Sequence, residues 1–312
     1  MPLHPQVEGL LKNVAAAGGK AFHEMAVPEC RATFAGLLAS LPPSTAKLAS
    51  VANRKIPGPA GEIGVRIYTP EGAGPFPVLS YFHGGGWVIG DLETHDGVCR
   101  ELCAGAGMVV VAVDYRLSPE HKFPAAPDDC VAAVKWVAAN AASIQGDASR
   151  LAVGGDSAGG NLSAVVSQRL RDENGPKLAA QLLIYPVARL DGVVTKSMID
   201  NAEGYLLQKK DMEWFVGHYL TSAADGKNVS ASPILAKSLA NLPPALVQTC
   251  EFDPLRDEGE DYGRALQASG VKTTVSRYDG TIHAAFNFFG VLEPGRRMVD
   301  EACRWLKEQL RK

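Results

Sequence analysis

The strongest chemical signal in the chain is the run Gly155-Asp-Ser157-Ala-Gly159. A serine flanked at that spacing by glycines suits a tight strand-to-helix turn. There its backbone is strained, and bulk two residues to either side would collide. Such a turn lifts the hydroxyl clear of the sheet edge, where it can act as a nucleophile in acyl transfer. A strand-like run, Leu151 to Val153, precedes the turn, and a helical pattern follows from about Asn161 to Asp172. The competing reading, a glycine loop around a phosphate, needs G-x-x-x-x-G-K-[ST] or G-x-G-x-x-G, and neither spacing is present.

Acyl transfer creates a negative oxygen, which calls for backbone N–H groups fixed in advance. The run Tyr81-Phe-His83-Gly-Gly-Gly-Trp87 offers them, because no side chain blocks the main chain there. The candidate donors are the amides of Gly85 and Gly86, joined by that of Ala158 after the nucleophile; the sequence leaves open which two of the three glycines point inward. His83 lies upstream of the serine and is read as a brace for this loop.

The remaining partners follow from chain order, which on this kind of turn runs serine, acid, histidine. Two histidines follow Ser157. His218 falls in Trp214-Phe-Val-Gly-His-Tyr219, which suits a helix face, whereas His283 follows the last strand-like run and is the candidate base. The acid must leave the preceding strand, and Asp253 at its exit is preferred over Asp257 in the next helix. Glu251 would point elsewhere by strand alternation.

These residues need a frame. Ile63 to Ile67, Val78 to Phe82, Met108 to Val113, Leu151 to Val153, Gln181 to Tyr185, Ala245 to Thr249 and Thr273 to Tyr278 read as strands, mostly buried on both faces. Helical patterns separate them over Ala126 to Ala142, Asn161 to Asp172, Glu258 to Ser269 and Arg297 to Leu310, and the segment with Cys99 and Cys103 also reads as a helix. The fold class is therefore α/β, a doubly wound and mostly parallel sheet covered by helices. Two regions break the alternation. Residues 1–48 carry helical stripes, and residues 188–230 insert a long segment with its own amphipathic helix. Both are read as one cap over a core formed by residues 49–187 and 231–312.

The balance of 31 basic against 34 acidic residues advertises no nucleic-acid surface. Six scattered cysteines read as small core residues, without disulfide or metal spacing. The N-terminus lacks a basic segment followed by a long apolar one, and no run approaches bilayer length, so a cytoplasmic location is expected.

With these residues in hand, the chain resembles the hormone-sensitive-lipase family of esterases (bacterial family IV). The resemblance rests on His83-Gly-Gly-Gly-Trp87, Asp114-Tyr-Arg-Leu-Ser-Pro-Glu-His-Lys-Phe-Pro124, Gly155-Asp-Ser-Ala-Gly-Gly160 and Asp253-Pro-Leu-Arg-Asp-Glu258. It implies an α/β-hydrolase fold with an eight-stranded sheet and a helical cap. It also implies hydrolysis of short- to medium-chain acyl esters without metal or cofactor, and relatives of this kind are often homodimers. Two departures stand out: His283-Ala-Ala-Phe286 where the family has His-Gly-Phe, and Leu117-Ser-Pro-Glu120 where it has Leu-Ala-Pro-Glu. The first bears on pocket shape. Trp87, Phe34, Leu206, Leu207 and Phe215 are candidates to line the substrate pocket. The rival functions are a non-catalytic ligand receptor on the same fold, or a deacetylase, lactonase or amidase using the same groups.

Overall fold

The computed structural model describes residues 2–311. A single eight-stranded sheet runs through it in the order β1-β2-β4-β3-β5-β6-β7-β8. The strands are β1 (Ser50–Gly58), β2 (Gly61–Thr69), β3 (Phe76–Phe82), β4 (Val109–Asp114), β5 (Gly146–Asp156), β6 (Ala180–Ile184), β7 (Ala245–Phe252) and β8 (Thr273–Ile282). The β1–β2 and β2–β4 pairings are antiparallel and all the others are parallel. The apolar runs behave as expected of strands covered on both faces: every residue of β6 is buried, and so is all of β4 up to Asp114.

The helices are α1 (Pro5–Ala16), α2 (Val27–Ala39), α3 (Asp96–Ala106), α4 (Ala125–Asn140), α5 (Ala158–Asp172), α6 (Lys196–Asp200), α7 (Lys209–Tyr219), α8 (Arg256–Ala268) and α9 (Glu293–Gln309). Among the described residues, no helix is long and apolar enough to cross a membrane. Helix α5 is buried almost all round; its serines back-bond, Ser163 donating to the Gly159 carbonyl and Ser167 to that of Ser163, while Asn161 and Gln168 donate to carbonyls outside the helix. Helix α9 is amphipathic and buries Met298, Val299, Ala302, Cys303 and Leu306. All six cysteines are buried and unpaired.

Strand β1 escaped the sequence reading because it is an exposed edge with one fully buried residue, Ile56, and so lacks a legible apolar pattern. Helix α5 starts directly at Ala158 instead of near Asn161, and β8 runs on to Ile282, through a register shift opposite β7. The sheet order reverses around β3, which lies between β4 and β5 although β4 follows it in the chain. Ligands of open α/β sheets bind outside the carboxyl ends of strands at such a reversal. That places the ends of β3 and β5, with the His83–Trp87 loop and Ser157, at the mouth of the crevice.

Candidate active site

Ser157 follows β5 directly and has φ 56° and ψ −116°, a conformation that few non-glycine residues adopt. The glycines beside it are sterically required. A Cβ on Gly159 would lie 1.9 Å from the Phe82 carbonyl oxygen, and one on Gly155 would lie 2.2 Å from the same atom. Strand β3 and the start of α5 are thus pressed together at the turn, which leaves the serine hydroxyl as the group presented outward.

Three side chains from three strand ends form one line. His283 Nε2 is 2.9 Å from Ser157 Oγ, and His283 Nδ1 is 2.7 Å from Asp253 Oδ2. Asp253 is fully buried, and its other carboxylate oxygen accepts the Leu255 amide at 2.8 Å. Ser157 and His283 are each 7% exposed, so the line is sealed at its acid end and reaches the outside only narrowly at the serine and histidine. A hydroxyl bonded to an imidazole, itself held by a buried carboxylate, can be deprotonated as it attacks a carbonyl carbon. Asp257 makes no such contact: its carboxylate accepts the Ser197 amide at 2.7 Å and pairs with Arg256. Glu251 accepts the Gly280 amide, and His218 packs on Trp214 along α7.

The glycine loop divides its amides. That of Gly84 is taken, donating to Asp156 Oδ1 at 3.0 Å. Gly85 and Gly86, at φ 114° and 57°, both line the cavity that contains Ser157 and His283. Ala158 is fully buried as the first residue of α5, where a helix leaves its amide without an intrahelical acceptor. His83 is buried, with Nδ1 against the Gly84 carbonyl at 2.7 Å and its ring stacked on Tyr115 at 4.4 Å. Burial, followed by the proximity of His95, pushes its pKa down to about 4. A neutral ring bound into its own loop is a brace.

Phe34, Leu206, Leu207 and Phe215 line the cavity that contains Ser157 and His283. Phe22, Leu37, Leu38, Ile89, Val187, Met212 and Phe288 line it too, and the wall is predominantly apolar. Trp87 does not line it. Its indole is fully buried and stacks face to face on Tyr219, with ring centroids 4.2 Å apart. The aromatic after the glycine run therefore serves packing between the loop and α7.

The sequence reading missed a buried knot around Asp156. Its carboxylate accepts from Tyr81 (2.7 Å), Gly84 (3.0 Å) and Asn287 (3.0 Å), with His95 Nε2 at 3.3 Å. Burial alone would raise the Asp156 pKa. The His95 interaction, with the hydrogen bonds from Tyr81 and Asn287, outweighs burial and holds it well below the usual carboxylate range. Four segments distant in sequence meet here, so no local spacing could have announced it. Tyr185 was also missed: it sits at φ 34° with its ring centroid 4.5 Å from that of His283.

Comparison with known proteins places this geometry. Residues 79–287 match the family described as the alpha/beta hydrolase fold. The chain is 49% identical over 247 residues to the carboxylic ester hydrolase LipN of Mycobacterium tuberculosis, a match spanning 77% of this chain and 65% of LipN. LipN is thus longer than the segment the two share. The carboxylesterase NlhH of the same organism is 42% identical over 257 residues, covering 80% of this chain and 79% of NlhH. Among solved structures, a hyperthermophilic esterase from the archaeon Pyrobaculum calidifontis superposes with a TM-score of 0.93 at 42% identity, covering 99% of both chains.

Proposed function

The chain belongs to the α/β-hydrolase family, in which it is a carboxylesterase of the hormone-sensitive-lipase kind, and we propose that it acts through an acyl-enzyme on Ser157. The observation that carries this reading is the unbroken line Ser157 Oγ–His283–Asp253, with contacts of 2.9 and 2.7 Å.

In the proposed cycle, His283 takes the Ser157 proton as the oxygen attacks the ester carbonyl, and Asp253 holds the imidazole and stabilises its charged form. The amides of Gly85, Gly86 and Ala158 bind the oxygen that becomes negative. Commitment of the Gly84 amide to Asp156 supports the choice of the next two glycines. His283 then returns the proton to the departing alcohol and activates the water that releases the acid.

The apolar cavity wall supports short- to medium-chain acyl groups as substrates. Residues 1–48 and 188–230 are proposed to form one cap over the core. The supporting contact is His23 Nδ1 to Asp211 Oδ1 at 2.7 Å, which ties the two regions together beside the cavity. Six buried, unpaired cysteines support a reducing compartment, the cytoplasm. The family resemblance supports a homodimer, and the near-neutral charge supports small molecules over nucleic acid as partners. The receptor reading has no observation in its favour, since all three groups of the line are in contact.

The test compares wild type with Ser157→Ala for release of p-nitrophenol from p-nitrophenyl butyrate. Loss of at least about 10³-fold in kcat is expected. A folded variant that keeps most of its activity would remove Ser157 from the reaction.

A further inference from the structure

The Asp253 carboxylate is held by Leu255 and His283, but the main chain that carries it is held from outside the sheet. Helix α6, a five-residue piece of the long connection between β6 and β7, lies directly against it. Asn201, the residue that closes this helix, is 4% exposed. Its side-chain amide donates to the Asp253 carbonyl at 3.1 Å and to the Glu251 carbonyl at 3.3 Å. Both acceptors are carbonyls, so the amide can present only its nitrogen. One turn earlier, fully buried Ser197 donates to the Pro254 carbonyl at 2.8 Å and accepts the Asp257 amide at 3.1 Å, while its own amide donates to Asp257 at 2.7 Å.

We propose that Asn201 is a positioning residue for Asp253, and that helix α6 with Ser197 forms the outer seat of the acid loop. The proposal rests on the reading of Asp253 as the acid partner of His283. The physical reason is leverage. Asp253 leaves β7 at a proline-containing turn, and a carboxylate that orients an imidazole must hold its place within a fraction of an ångström. The Asp253 carbonyl accepts both the Arg256 amide and the Asn201 side-chain amide, each at 3.1 Å, and a peptide unit held by two donors resists the rotation that would carry the carboxylate away from Nδ1. Asn201 does not line the cavity that contains Ser157 and His283, so its influence passes through Asp253 and His283.

This predicts a dependence on leaving group. A p-nitrophenolate departs without a proton, whereas an ethoxide needs one from His283. Loosening the acid should therefore slow an ethyl ester more than a p-nitrophenyl ester of the same acid. The experiment measures kcat/KM for ethyl butyrate and p-nitrophenyl butyrate in wild type, Asn201→Ala, Ser197→Ala, Asp253→Ala and the Asn201→Ala/Asp253→Ala pair. The ratio of the two substrates is independent of how much of a preparation is folded.

Asn201→Ala is expected to lower the ethyl ester rate about tenfold or more and to lower the ratio with it. Ser197→Ala should move the ratio the same way, less far. In the Asp253→Ala background, Asn201→Ala should add little, because the group it acts through is gone. A wild-type ratio in Asn201→Ala, or losses that multiply in the double variant, would overturn the proposal while leaving the Ser157–His283–Asp253 reading intact. Near-wild-type hydrolysis by Asp253→Ala would instead sink that reading, and the role of Asn201 with it.

Discussion

Asp156 stands next to the nucleophile, yet its carboxylate points away into the knot formed by Tyr81, Gly84, His95 and Asn287. A buried carboxylate with this many donors fixes the glycine loop relative to the serine turn, which is what preorganised stabilisation of an oxyanion requires. Asp156→Asn turns one acceptor into a donor facing other donors. It should cost at least about 2 kcal/mol of stability and slow hydrolysis through the displaced Gly84, as read by thermal unfolding and steady-state rates. Because its folded pKa is depressed, the stability supplied by Asp156 is present above the usual carboxylate range and is lost as pH falls through the lowered value. The gap in Tm between wild type and variant should thus be full at neutral pH and close only in strong acid.

Helix α8 shows how an element can serve the site through its first turn. Glu258 is fully buried there and accepts the Ala188 amide at 2.8 Å, joining α8 to the chain as it leaves β6. Burial pushes its carboxyl up to about 8, against the hydrogen bonds from Ala188 and Arg189 and with the nearby charge of Asp253 adding to the rise. The folded chain then holds a proton that the unfolded chain releases, so this group's stabilising contribution falls as pH climbs from the ordinary glutamate range through about 8. Glu258→Gln keeps the acceptor oxygen and removes the titration. Its Tm should depend less on pH than that of wild type between roughly pH 5 and pH 8; parallel curves would show that Glu258 is not the source.

At the scale of the whole molecule, the cavity is lined by residues of two segments that come together only in the folded chain. His23, after the first helix, meets Asp211 in the first turn of α7, where the acid also accepts the Gln208 amide at 2.9 Å. Phe22 packs against Phe34 and Phe215, at centroid distances of 6.4 and 5.9 Å, and all three line the cavity. His23→Ala removes the imidazole from this clasp, leaving only the main-chain amide of residue 23 on Asp211 at 3.0 Å, and does not touch the Ser157–His283–Asp253 line. It should raise KM for butyrate esters about tenfold, the equivalent of ~1.4 kcal/mol, with kcat within about twofold. Uniform binding lost in ground and transition states alike has that signature. The acyl-chain optimum should move toward longer chains as the roof loosens. A fall in kcat at constant KM would place His23 in the chemistry instead.

What the sequence determined by itself is local. Ser157 and its glycines were legible because the strained turn permits so few residues, and the inner strands because burial on both faces demands continuous apolar runs. Asp253 and His283 were legible because chain order on this turn leaves few candidates, and their pairing in space followed the order. The exposed strand β1 was illegible for the converse reason: an edge bathed in water imposes no apolar pattern. Tertiary structure alone decided which glycine amide is already taken, that Trp87 packs on Tyr219 instead of facing the cavity, and that Asp156 and Asn201 serve as anchors. Each of these depends on a hydrogen bond or ring contact between residues far apart in the chain. Such contacts leave no periodicity, and they exist only once the sheet has brought its strand ends together.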